Sequence, residues 1–168
     1  MKQWLKRIIL LAALAALGYW GWSLLFPNPE KVIRKQLKAL AREVSFGPNQ
    51  GLVSTAWKAT SLSTFFTTNV EVVIDVPGSE QNIRGLDTLK GAALYARQTL
   101  RSLQIELPDI NVTVQPGSET ATVNLTARGV AISRNDHRED YIQELRLCLI
   151  KVKGEWLVRE IVTVRTLS

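Results

Sequence analysis

The chain has 168 residues, with 21 Lys and Arg against 15 Asp and Glu, one His and one Cys. A single cysteine forbids an intrachain disulfide, and a single histidine forbids a zinc site built from several imidazoles, leaving carboxylate sets as the conceivable metal ligands. Part of the formal charge of +6 sits before residue 8, and the remaining excess is too small and scattered to argue for nucleic acid; no cofactor, metal or nucleic-acid partner is expected.

Residues 8–26 contain no Asp, Glu, Lys or Arg. As a helix they would reach about 28 Å, close to the ~30 Å hydrocarbon core of a bilayer. Lys2, Lys6 and Arg7 precede the stretch, and Tyr19, Trp20 and Trp22 fall near its far end, where amphipathic rings favour the lipid-water boundary. Cleavage near Ala13, Ala15 or Ala16 would leave an apolar, Trp-rich new terminus, so an uncleaved signal anchor is expected. The expected division is a basic tail at 1–7, a transmembrane anchor at 8–26, a hinge at 27–29 and one domain at 30–168. A short basic tail usually stays inside, which makes the domain extracytoplasmic, although Lys31, Arg34, Lys35, Lys38 and Arg42 put more charge on the far flank.

Asn28, Pro29 and Glu30 predict a helix start: a cap, a residue suited to the first helical position, and an acid at the positive end. Val32, Ile33, Leu37, Leu40, Ala41 and Val44 then recur at three- and four-residue spacing. The basic opposite face is expected to be solvated surface rather than a lipid contact. After a loop over 45–51, a second helix is predicted over 52–66, with Leu52, Val53, Ala56, Trp57, Ala59 and Leu62 apolar and Phe65 and Phe66 at its end. From Val70 the period becomes two, with Val70, Val72, Ile74 and Val76 forming one face of a strand that stops at Pro77-Gly78.

A third helix is predicted with Asp87 as cap and Leu89, Ala93, Ala96, Leu100 and Leu103 along one face. Four strands follow at about 104–115, 120–133, 138–153 and 155–167, separated by Pro116-Gly117, Asn135-Asp136 and Lys153-Gly154. The expected fold class is α+β: three helices packed into a curved, mainly antiparallel sheet, a cone-shaped barrel behind one transmembrane helix.

Phe65-Phe66 leading into Asn69-Val70-Glu71-Val72, the Arg84-Gly85 opening of the third helix, and Lys153-Gly154-Glu155-Trp156 before the last strand carry a resemblance over residues 30–167. The order resembles the nuclear-transport-factor-two-like superfamily, which includes SnoaL-type cyclases, ketosteroid isomerase and scytalone dehydratase. Val73-Ile74-Asp75-Val76-Pro77-Gly78 is similar to the isomerase segment that holds the catalytic aspartate, with Asp75 at that position. The resemblance implies a base that moves a proton between carbons, aided by a tyrosine and a second, protonated aspartate on the enolate oxygen. This chain departs from that pattern. Its first helix has no tyrosine, and the strand expected to carry the second acid presents Glu144, Arg146 and Cys148 on one face.

Each candidate also has a plain alternative. Asp75 ahead of a Pro-Gly turn can simply satisfy backbone groups, and this is the preferred reading. Glu71, on the same strand face, is expected to be solvated, as is His137 in its hairpin turn. Trp57, Phe66, Tyr95, Tyr141 and Trp156 are the candidate walls and donors of a ligand site, or else core volume. Cys148 reads as a small buried hydrophobe with no base to activate it. The expected function is a membrane-anchored, non-catalytic binding or scaffolding domain that holds a small apolar ligand or a partner protein. In layout it is similar to the type IV secretion inner-membrane subunit, and the superfamily resemblance implies a homodimer through the sheet face. The alternative is an isomerase, dehydratase or cyclase with Asp75 as general base. A cone left open toward Asp75 favours chemistry, and one filled by Trp57, Phe65 and Trp156 favours scaffolding.

Overall fold

The computed structural model describes residues 28–48, 61–76, 79–117 and 119–164. Helix α1 (Pro29–Val44) begins as its sequence dictates: Asn28 Oδ1 accepts the Glu30 N–H at 2.9 Å and Pro29 takes the first turn. Ile33, Leu37 and Ala41, four residues apart, form its buried edge. The helix ends where the Ser45 hydroxyl donates back to the Ala41 carbonyl at 2.7 Å while its oxygen accepts the Ile105 N–H at 2.9 Å. One residue later Phe46 exchanges two backbone hydrogen bonds with Leu103, of 2.7 and 2.9 Å. The helix end is thereby stapled to a strand.

The sheet has six strands, β1 (Phe66–Val76), β2 (Ser79–Arg84), β3 (Leu100–Val114), β4 (Thr120–Ser133), β5 (Arg138–Val152) and β6 (Glu155–Thr163), in the spatial order β2-β1-β6-β5-β4-β3. It is mixed: β1 runs parallel to β6, and the other pairings are antiparallel. Register shifts within β1–β6, β3–β4 and β5–β6 mark the irregularities that bend and coil long strands around the helices.

One sheet face carries Val70, Val72, Ile110, Val112, Val123, Leu125, Leu147, Leu149, Trp156 and Val158, packed with Ile33 and Leu37 into a single core. Helix α2 (Leu86–Thr99) joins it through Leu86, Leu89 and Ala93, which are only partly buried. Both described helices therefore cover the same face. The opposite face, with Val73, Cys148, Ile150, Leu157 and Val162 half-buried among Asn124, Arg146 and Glu160, has no described helix on it.

Several boundaries differ from expectation. Two α-helices are described rather than three; most of the segment expected as the second lies outside the described residues, and its end is a 3₁₀ turn (Leu62–Thr64), with Phe66 already in β1. Strand β2 was not expected, because only Ile83 among its six residues is apolar and an edge strand with no buried period leaves no trace in the sequence. Leu100 and Leu103 belong to β3 rather than to the third helix. The Thr99 hydroxyl bonds the Tyr95 and Ala96 carbonyls at that helix end, and pairing with Ser133 draws Leu100 into the sheet. The N-cap of α2 is Gly85, at φ 87°, with Asp87 in the first turn. Among the described residues no helix is long and apolar enough to cross a membrane; residues 8–26 lie outside them.

Candidate functional site

Strand alternation fixes where Asp75 sits. Val70, Val72 and Ile74 belong to the core face, so Asp75 falls on the other face with Glu71 and Val73. Its backbone N–H donates to the Thr163 hydroxyl at 2.7 Å, and that hydroxyl donates to the Val73 carbonyl at 3.1 Å. Glu71 is taken up by Arg84 on β2, whose Nε donates to its carboxylate at 2.9 Å.

The tyrosines do not converge on Asp75. Tyr95 projects from α2 with 68 % of its surface exposed, and Tyr141, opposite Gly129 on β5, is 49 % exposed. Phe66 and Trp156 are core residues at 6 % and 5 % exposure, and Gln36 donates from α1 to the Trp156 carbonyl. Trp57 lies outside the described residues. His137 is exposed in its turn, 3.6 Å from the Glu139 carboxylate. Cys148 shares the outer face with Arg146 and Glu160, and burial, aided by a hydrogen bond to Glu160, pushes its thiol above the ordinary value. No group of three or more potential metal ligands occurs among the described residues.

Among the described residues a space of about 40 Å³ lies between α1, α2 and β3, bounded by Val44, Phe46, Leu62, Ala93 and Leu103. That is small beside the ~300–1,000 Å³ of typical small-molecule sites. A larger cleft of about 310 Å³ opens where α1, α2 and the β3–β4 end meet, between Phe46, Gly47, Pro48, Leu100 and three arginines, Arg97, Arg101 and Arg134. The Arg97 guanidinium stacks 4.5 Å over the Phe46 ring and donates to the Glu43 carbonyl at 3.0 Å. Burial lowers its pKa, opposed by the nearby Glu43 charge. Arg101 pairs with Asp136, and Arg134 Nε donates to the Gln98 carbonyl at the end of α2. Sequence reasoning did not find these three residues. They are separated along the chain and fall on no periodic stripe, and the only signal was an excess of arginine near the expected helix and strand ends.

No protein-family model matches the chain, and no curated protein does. Solved structures do. A nuclear transport factor 2-like superfamily protein from Salmonella enterica aligns with a TM-score of 0.63 at 12% identity, over 83% of this chain and 92% of its own. An uncharacterised cystatin-like protein from Caulobacter vibrioides gives 0.59 at 15% identity over 80% and 89%. A protein from Novosphingobium aromaticivorans, provisionally named a scytalone dehydratase, gives 0.57 at 15% identity over 82% and 83%. Six strands in a bent mixed sheet around two described helices, superposing on these structures at such low identity, give this chain the nuclear-transport-factor-two-like, cystatin-like fold.

Proposed function

We propose that this chain is a non-catalytic binding and scaffolding domain, held beside a membrane by residues 8–26 with the domain extracytoplasmic, that works by pairing the sheet face on which no described helix lies with a second copy of itself. The observation that carries the reading is the placement of Asp75 on the strand face opposite Val70, Val72 and Ile74, away from Tyr95 and Tyr141. A general base needs its substrate and its oxyanion donors within hydrogen-bond reach, and these groups do not share a chamber. The space of about 40 Å³ that the described residues leave between α1, α2 and β3 is small for an apolar ligand, which supports a partner protein. The half-buried row Val73, Cys148, Ile150, Leu157 and Val162 supplies an apolar strip with a polar border, as an interface centre requires.

The test is sedimentation of the intact protein in detergent. A dimer is expected, with Ile150→Arg giving a monomer of unchanged circular dichroism; a monomeric wild type overturns the pairing. The enzyme alternative, with Asp75 as base in a fold shared with a provisionally named dehydratase, is tested with a β,γ-unsaturated ketone as probe. Turnover that disappears in Asp75→Asn at unchanged melting temperature would replace the scaffolding reading. A reporter fused after Ser168 that is active only outside the cytoplasm supports the orientation.

A further inference from the structure

We infer that the cleft between Phe46, Arg97, Arg101 and Arg134 is a binding site for a phosphate monoester, with its dianionic head on the guanidiniums and its organic part against Phe46, Pro48 and Leu100. It stands apart from the sheet-face pairing and does not depend on it.

Three guanidiniums border one cavity of about 310 Å³ that has no acidic side chain in its lining. Each carries five N–H donors in a planar fork. Within the described residues the hydrogen bonds of each take up a single nitrogen: Arg97 Nη2 on the Glu43 carbonyl, Arg101 Nη1 on Asp136, and Arg134 Nε on the Gln98 carbonyl. The bland duty of such residues, neutralising the negative C-terminal ends of helices, is met for α1 by the Arg97 bond to the Glu43 carbonyl and for α2 by the Arg134 bond to the Gln98 carbonyl, and it leaves most of the forks unused. Asp136 pairs with one of the three charges. The Glu43 charge lies near a second, Arg97, and among the described residues Arg134 makes no ion pair.

The chemistry selects the ligand class. Guanidinium forks match the paired oxygens of phosphate and carboxylate, and a dianion with three acceptor oxygens answers a cluster of this charge better than a carboxylate does. Arg97 is already ordered by its stack on Phe46 and its bond to Glu43, so little side-chain freedom remains to be lost on binding. The cavity is much larger than the head group alone, and its Phe46, Pro48 and Leu100 wall suits an apolar substituent.

A free phosphomonoester and the head group of phosphatidic acid share this chemistry, and two probes distinguish them. The intact protein in non-ionic detergent is titrated calorimetrically with phenyl phosphate. The intact protein in phosphatidylcholine nanodiscs, with and without phosphatidic acid, is examined by arginine side-chain NMR. Saturable phenyl phosphate binding assigns a soluble ligand; perturbation of these arginines by phosphatidic acid alone assigns a lipid head group. In either arm Arg97→Gln and the exposed Arg134→Gln each weaken binding about tenfold or more, the loss of one charge-assisted contact, while Arg128→Gln on the outer sheet face changes nothing. Absence of binding in both arms overturns the assignment. So does equal weakening by Arg128→Gln, which marks general charge attraction.

Discussion

Thr163 and Asp75 join β1 and β6, the two strands that run in parallel: the Thr163 hydroxyl accepts the Asp75 N–H at 2.7 Å and donates to the Val73 carbonyl at 3.1 Å. A side chain thus supplies both bonds where β6 ends against β1. Thr163→Val keeps the shape and removes both. The expected cost is about 1–3 kcal/mol, read as a lower urea midpoint at unchanged slope. Stability equal to wild type would mean that the junction does not hold β1 in place.

Thr67 presents the converse case. Its hydroxyl is buried at the start of β1 and has no hydrogen-bond partner among the described residues. Thr67→Val removes a desolvated hydroxyl without opening a cavity, so stability is expected to rise by about 1 kcal/mol. A melting temperature below wild type would show that the hydroxyl is satisfied.

The β5–β6 hairpin turns through Lys153 at φ 50° and Gly154 at φ 88°, the pairing that a two-residue type I′ turn demands. Nothing lies within 4 Å of where a Gly154 side chain would begin. Gly154→Ala therefore meets only backbone strain, costing about 1–2 kcal/mol by chemical denaturation.

Cys148 gives a pH test with a definite sign. Burial first, then the hydrogen bond to Glu160, raise its thiol above the ordinary value of 9.0. At pH 8 it is expected to react with iodoacetamide more slowly in the folded protein than in urea. Its contribution to stability is fully present below pH 9.0 and is lost as pH rises through the higher folded value. Faster alkylation in the folded state would contradict this.

Much of the architecture was legible where local and tertiary preferences agree. Asn28, Pro29 and the Ile33–Leu37–Ala41 spacing all argue for α1 (Pro29–Val44), and β4 (Thr120–Ser133) begins and ends as its alternation requires. Ser79 to Arg84 was not legible, because its partner β1 rather than its own composition makes it a strand. Leu100 and Leu103 fit the helical spacing of the residues before them, and only pairing with residues more than two dozen positions later decides otherwise. The same limit applies to function. Asp75 stands out by its neighbours in sequence, whereas Arg97, Arg101 and Arg134 acquire meaning only when α2 and the β3–β4 end bring them to one cleft.

The place of β6 between β1 and β5 has a consequence for how the polypeptide comes to order during synthesis. Two groups of strands, one made early and one late, have no shared edge until the segment at 155–163 slots between them. The emerging chain can form hairpins, but its halves wait for that final wedge, and until then the flanks of β1 and β5 stay open to wrong neighbours.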